Sequence, residues 1–321
     1  MCREDRGRPC PAVSVSFTGP TIIFMKRLLL AAALLFSTGA VLAAPESGGA
    51  DPAKTLKETQ ARAAQGSARA QFDLGLMYER GRGVAQDYAA AAKWYRLAAA
   101  QGDASAQDHL GALYHKGRGV PADPAEAVRL FRLAAAQGDA NAQTNLGSMF
   151  EAGTGVGQDY AQALKWYRAA AAQGYRRGQY GIGWMYARGQ GVPQDYAEAL
   201  KWYRLAAAQG DPGAQSNLGF MYSTGRGVTQ DFAEAVKWYR MAAVQGNAQG
   251  QNNLGSKYDK GEGVGRDYVR SHMWFSLAVQ SGHAEAASNR DIVAAKMTPQ
   301  QIAEAMKMAE DCRKRNLAEC G

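Results

Sequence analysis

The chain has 321 residues, of which 21% are charged and only 10 are proline, with 37 Lys and Arg against 29 Asp and Glu. This composition excludes a collagen-like or disordered chain. The net charge of +8 is too mild to indicate nucleic acid by itself. By length alone about two globular domains would be expected, a prior that fails for repeat arrays, in which each unit touches only its neighbours.

Residues 1–24 read as an upstream extension, with Met25 as the true start. From there Met25-Lys26-Arg27 forms a basic region, Leu28 to Phe36 an apolar run, and Ser37 to Ala44 a stretch of small and aliphatic residues. This is the order of a secretory signal peptide. It assigns residues 25–43 to the signal, with cleavage after Ala43, and the run is too short to span a bilayer. The mature protein is then periplasmic or secreted and carries no transmembrane anchor. Removal of residues 1–43 takes away five basic and two acidic side chains, Cys2 and Cys10, so the charge falls to about +5 and two cysteines remain. Residues 44–66 form an N-terminal cap, in which 52–66 look like a degenerate helix ending in Ala63-Ala64-Gln65-Gly66.

A repeat follows. Gly75, Gly111, Gly147, Gly183, Gly219 and Gly255 lie 36 residues apart, and the same spacing carries an aromatic three residues later and a Gly-x-Gly-Val loop that begins at Gly81, Gly117, Gly153, Gly189, Gly225 and Gly261. The units run 67–102, 103–138, 139–174, 175–210, 211–246 and 247–282. In each, apolar residues at three- and four-residue spacing, such as Ala214, Leu218, Met221 and Tyr222, predict an amphipathic first helix. A glycine within that stripe costs about 1 kcal/mol of helix propensity, so its return in every unit implies close approach by a neighbouring helix, for which the Ala206-Ala207 type of pair is a small partner.

The first loop glycine closes the first helix in the left-handed conformation. Asp87, Asp123, Asp159, Asp195, Asp231 and Asp267 then cap the second helix, and Glu126, Glu198 and Glu234 three residues on would complete capping boxes. Lys-Trp-Tyr-Arg at 93, 165, 201 and 237, with its variants at 129 and 272, supplies the second helix with a buried tryptophan. One such pair cannot cover its own apolar face, so the units must stack into an all-α, right-handed α/α superhelical solenoid. Residues 283–321 cap its end: 284–296 as a last first helix, and Thr298-Pro299 opening a polar helix to about Lys314. Cys312 and Cys320 are expected to form a disulfide, which requires the helix to stop between them, near Asn316, because eight helical residues would separate them by about 12 Å.

The pattern of Ala, Leu-Gly, Tyr, Gly-x-Gly-Val, Asp, Ala, Trp-Tyr, Ala-Ala and Gly over residues 67–282 resembles the Sel-one-like repeats, relatives of the tetratricopeptide repeats. The resemblance implies a helical superhelix that binds other proteins, often in the bacterial envelope. One secreted branch, rich in cysteine, has been linked to penicillin hydrolysis. This chain has no cysteine between residues 11 and 311, which sets it apart from that branch and from a β-lactamase-like or other hydrolase activity.

No Ser-x-x-Lys, Gly-x-Ser-x-Gly or His-Glu-x-x-His spacing occurs. His109 and His115, six apart on one helix, do not share a face and read as surface residues. The Gly-x-Gly-Val loops lack a following lysine and precede an aspartate cap, so they are turns and not phosphate cradles. The expectation is a non-enzyme without cofactor or metal.

Departures from the repeat point to a binding face. By analogy with tetratricopeptide repeats, positions two, five, nine and thirteen of the first helix face the concave groove. In the fourth unit these are Arg177, Tyr180, Trp184 and Arg188, flanked by Arg176; Phe220 stands at the Trp184 position of the fifth unit, and Arg69, Phe72, Leu76 and Arg80 repeat the chemistry in the first. Aromatics with arginines have the composition of an interaction hot spot, and Asn145, Asn217 and Asn253 form a ladder able to hold a peptide backbone. The partner expected is another protein or an acidic peptide of the cell envelope, bound by a monomer. The alternative is an envelope glycan or exopolysaccharide stacked on Tyr180 and Trp184. N-terminal sequencing of the exported protein should begin at Ala44; a mature chain that retains Cys2 or Cys10 would overturn the signal assignment.

Overall fold

The computed structural model describes residues 52–315 together with Leu317 and Cys320. The 1–24 extension, the 25–43 signal and the start of the N-terminal cap lie outside the described residues. Among the described residues there are fifteen α-helices and no strand. They are α1 (Pro52–Ala64), α2 (Ala68–Arg80), α3 (Tyr88–Ala100), α4 (Ala104–Lys116), α5 (Pro124–Ala136), α6 (Ala140–Ala152), α7 (Tyr160–Ala172) and α8 (Arg176–Arg188). After them come α9 (Tyr196–Ala208), α10 (Pro212–Thr224), α11 (Phe232–Ala243), α12 (Ala248–Lys260), α13 (Tyr268–Gln280), α14 (Ala286–Ala294) and α15 (Pro299–Lys314). Even-numbered helices from α2 to α12 are the first helices of the six repeats, and each packs against the odd-numbered helix that follows it.

Local chemistry explains the boundaries. Every one of the six expected aspartates accepts a hydrogen bond from a first-turn amide of its helix, which satisfies donors that would otherwise be orphaned. Each first helix of a repeat ends on a glycine in the left-handed region, φ +71° at Gly225 for example. The second loop glycine has a different role: a Cβ on Gly119 would lie 2.2 Å from the Tyr88 backbone, and one on Gly263 2.1 Å from that of Phe232. The loop therefore rests on the start of the preceding repeat's second helix, where only glycine fits.

The expected capping boxes at Glu126, Glu198 and Glu234 do not form. Their carboxylates turn to Arg129, Lys201 and Lys237 one turn on, at 2.7, 2.7 and 2.9 Å, because a charge-assisted bond outcompetes a backbone amide. A full capping box joins Thr298 and Gln301 at the head of α15.

Two packing expectations are also corrected. In Lys-Trp-Tyr-Arg the tyrosine, not the tryptophan, is buried: Tyr95 and Tyr203 are 0% and 2% exposed, whereas Trp94, Trp166, Trp202 and Trp238 are half-buried; in the variant of the sixth repeat Trp274 is buried as expected, beside Phe275. The partner of the recurring glycine is that ring, not the alanine pair. A Cβ on Gly219 would come within 2.5 Å of the Tyr239 ring, and Gly75, Gly111, Gly147, Gly183 and Gly255 meet Tyr95, Phe131, Tyr167, Tyr203 and Phe275 in the same way. The alanines serve the joint to the next repeat, where a Cβ on Gly178 would lie 2.7 Å from the Ala170 Cβ.

Within a repeat, a pair of glutamines ties the first helix to the end of the second. Gln101 donates to Gln71 at 2.8 Å, Gln137 to Gln107 at 2.9 Å, Gln173 to Gln143 at 2.9 Å, Gln209 to Gln179 at 2.8 Å and Gln245 to Gln215 at 2.7 Å. Gln71, Gln107, Gln143, Gln215 and Gln251 also donate to a carbonyl of the preceding helix. Ser281 takes the next glutamine position, and the buried Oε1 of Gln251 has no hydrogen-bond partner among the described residues.

At the end of the array α15 packs on α13. Cys312 and Cys320 lie 5.5 Å apart at Cα, within disulfide range. Among the described residues beyond the helix Leu317 is left-handed, φ +60°; Asn316, the expected stop, lies outside them. Leu317 packs against the cluster of Tyr239, Leu254 and Trp274. Gly219→Ala is expected to destabilise the protein by about 1–3 kcal/mol through overpacking against Tyr239, even though alanine favours a helix by about 1 kcal/mol; urea unfolding measures the difference.

Candidate functional site

The first helices touch one another across repeats, α6 with α8 and α10 with α12, and so form the inner layer of the stack. The fourth repeat departs most from the pattern there. Tyr175 stands where a capping residue is expected and gives no side-chain cap. Gly181 takes a position that is Asn145, Asn217 or Asn253 elsewhere, and a Cβ on it would lie 2.7 Å from the Tyr167 ring. The Tyr167 ring fills that place, and beside it lies a hollow of about 660 Å³ bordered by Asn145, Glu151, Arg177, Tyr180, Trp184 and Asp211. A second hollow of about 450 Å³ adjoins it through Tyr180 and Trp184 and extends to Phe220, Gln249 and Asn253.

Tyr180 and Trp184 stack with ring centroids 6.3 Å apart, and the Arg188 guanidinium lies 3.9 Å above the Trp184 ring. Phe220 is 40% exposed, with Arg226 5.1 Å from its centroid and 5.4 Å from that of Tyr196. Arg177 is exposed, while Arg176 turns away to donate to the Gln209 carbonyl at 3.1 Å. The structure thus brings Arg177, Tyr180, Trp184, Arg188 and Phe220 to one surface. Arg226 belongs with them and was missed because it lies in the loop, outside the helix register on which the expectation rested.

Polar atoms near these rings are left over. Ser216 Oγ and Asn217 Nδ2 are buried without a hydrogen-bond partner among the described residues. The Asn217 amide lies beside the Tyr180 and Tyr203 hydroxyls, without a bond of normal geometry. Burial pushes both phenols above their ordinary range, so they remain neutral donors.

The first repeat behaves otherwise. Phe72 is 6% exposed, packed between Tyr95 and His109 with centroids at 5.7 and 5.4 Å. It is core, and Arg69, Phe72 and Arg80 form no open aromatic patch. Arg69 covers the Phe72 ring and pairs with Asp73 at 3.2 Å; Arg80 is exposed. His109 is not a surface histidine either: its Nδ1 lies 2.9 Å from the Glu79 carboxylate, which also accepts from the Tyr95 hydroxyl. Burial raises the Glu79 pKa, but the hydrogen bonds from His109 and Tyr95 outweigh it and hold the carboxyl below its usual value. The asparagine ladder is likewise interrupted: Asn145 donates to the buried Asp108 at 2.8 Å and Asn253 accepts from Gln249 at 3.0 Å.

Among the described residues no cluster of His, Cys, Asp and Glu could hold a metal, and no helix is long and apolar enough to cross a membrane. Stacked helical pairs with an aromatic and basic inner face define a repeat solenoid. The Sel1 repeat description matches residues 68–103, 104–139, 140–175, 176–211, 212–247 and 248–283, and the chain belongs to the Sel1 repeat family. It is similar to a Sel1 repeat protein from Oxalobacter formigenes, with 34% identity, a TM-score of 0.65, and coverage of 71% of this chain and 97% of that one. It also matches c5321, a protective antigen of uropathogenic Escherichia coli strains with an SLR fold, at 30% identity over 84% of this chain and 73% of that one, TM-score 0.39. A comparison with curated proteins finds no match. Sel1 repeat proteins are typically protein-interaction scaffolds and generally not enzymes.

Burial raises the Asp108 carboxyl to about 6, against the opposing bond from Asn145. A raised folded-state pKa contributes stability below the unfolded value, and that contribution is lost as pH rises through 6. Asp108→Asn should therefore stabilise the protein by up to about 3 kcal/mol at pH 8, and the gain should shrink steadily toward pH 4. Thermal melts of both proteins across that range check it.

Proposed function

We propose that the protein is an exported, non-enzymatic scaffold that binds a partner protein, or an acidic peptide of it, through the inner face of the fourth and fifth repeats. The observation that carries this reading is the surface formed by Tyr180, Trp184, Arg188, Phe220 and Arg226 beside two adjoining hollows. These side chains depart from a repeat whose other positions are explained by caps, turns and core. Rings that are held in place lose little entropy on binding, and guanidinium groups pair with carboxylates in a fixed geometry. Successive first helices about 10 Å apart are spanned by roughly three residues of extended chain at about 3.3 Å each, a spacing that suits a peptide laid across the layer. A sugar ring would need a free aromatic face, and Arg188 already covers one face of Trp184, which favours the peptide over the glycan. Export rests on the signal-like segment at 25–43, and an oxidising compartment suits the proximity of Cys312 and Cys320.

The double substitution Trp184→Ala with Arg188→Ala should lower capture of the partner from an envelope extract at least tenfold while circular dichroism stays unchanged. A large fall in melting temperature would show that the pair is structural, and undiminished capture would overturn the inner-face reading.

A further inference from the structure

The fourth repeat lacks an acid that two earlier repeats use on the same framework. Residues 79, 151 and 187 are equivalent in the 36-residue register, as are 95, 167 and 203. In the first repeat Glu79 sits against the Tyr95 hydroxyl and His109. In the third, Glu151 accepts from the Tyr167 hydroxyl at 2.7 Å. In the fourth the acid is replaced by Ala187, although the donors remain: Tyr203 is in the Tyr95 position and Asn217 in that of His109. No carboxylate accepts a hydrogen bond from Tyr203 among the described residues, and the buried Nδ2 of Asn217 has no partner.

The surroundings correspond as well. Arg188 and Arg226 are equivalent to Arg80 and Arg118. Arg118 lies 5.5 Å from the Tyr88 centroid much as Arg226 lies 5.4 Å from that of Tyr196, so the loop arginine is held alike at both joints. Neither the Arg188 nor the Arg226 guanidinium forms an ion pair or hydrogen bond with a described residue; each rests on aromatic rings. Together with Trp184, Ala187, Tyr203, Asn217 and Phe220 they border a cleft of about 200 Å³. Two cations and two neutral donors converge on a space from which the chain's own acid has been removed.

We infer that this cleft binds a carboxylate supplied by the ligand, in the place that Glu79 fills from within the chain three repeats earlier. The inference rests on the inner-face reading above and names its chemistry: a carboxylate on a short aliphatic stem, from an acidic side chain or a chain terminus. Trp184 and Phe220, which replace Leu76 and Ala112 of the first joint, enlarge the apolar walls that such a stem would touch.

The test uses ¹⁵N-labelled protein and four probes: acetyl-glutamate N-methylamide, acetyl-alanine with a free carboxyl terminus, acetyl-glutamine N-methylamide, and sulfate. At least one carboxylate probe should shift the Trp184 indole and the Arg188 and Arg226 Nε–H signals, and the stronger of the two identifies the source of the group. The glutamine analogue and sulfate should bind at least tenfold more weakly; equal binding by either overturns the inference. Ala187→Glu should fill the cleft internally, abolish the response and leave the melting temperature unchanged or higher. A folded Ala187→Glu protein that still responds also overturns it. Should that variant not fold, Arg188→Gln with Arg226→Gln, both at exposed positions, decides: a tenfold loss is expected, and an unchanged affinity refutes. Partner capture that survives Ala187→Glu but fails in the Trp184 and Arg188 double variant would discard the carboxylate site while keeping the inner-face reading.

Discussion

The contact on which the array depends is the recurring glycine of the first helix seated on the aromatic ring of the second. Six glycines meet six rings, and in each case a single added methyl group would collide. The distance between paired helices is therefore set by the thickness of a ring against bare backbone, and it is the same in every unit. This explains why a residue unfavourable to helices is kept in the middle of each first helix. Once that distance is uniform, the alanine pairs can repeat from joint to joint and the glutamine rungs from unit to unit without adjustment.

Uniform pairing leaves the inner face free to vary, because its side chains meet at most the outer part of the ring and not the glycine beneath it. Position 187 and its equivalents show how far this goes: Glu79, His115, Glu151, Ala187, Ser223 and Asp259 occupy one place in the framework. Glu79 and Glu151 are absorbed by tyrosine hydroxyls, and Asp259 pairs with Lys296 of the C-terminal cap at 2.7 Å. Where the internal partner is missing, in the fourth repeat, arginines and amides are left facing the cleft. A surface can thus acquire binding chemistry by losing an internal interaction as well as by gaining a side chain.

Much of the fold was legible in the sequence because its determinants are local and repeated. Capping aspartates, loop glycines and apolar stripes each act within a few residues, and six copies of each remove the ambiguity of one. What was misjudged depends on partners further away. Trp202 and Tyr203 are adjacent aromatics, and only the glycine twenty residues earlier selects which one goes inward. His109 looked exposed because the acid that holds it, Glu79, is thirty residues away. Glu126 has the spacing of half a capping box, but Arg129, one turn on, competes for its carboxylate. Phe72 and Tyr180 occupy equivalent positions, yet the first is enclosed by His109 and the second borders an open hollow beside Gly181, a difference that no single helix reveals. Comparison of position 187 across the units was the available signal for the cleft, and it becomes informative once the Tyr95 hydroxyl is known to face that position.

The glutamine rungs link residues thirty apart within a unit, and the first glutamine of a unit also reaches back across the joint to a backbone carbonyl of the helix before. A gene that gained or lost one 36-residue unit by unequal exchange would join like to like: each unit would bring its own rung, each new joint would again set a glutamine amide on a backbone carbonyl, and no joint would need new chemistry. The number of repeats, and with it the length of chain the inner face can engage, is then free to change in whole steps during evolution. Ser281 marks where this freedom ends, since beyond it the ladder has no next rung to offer.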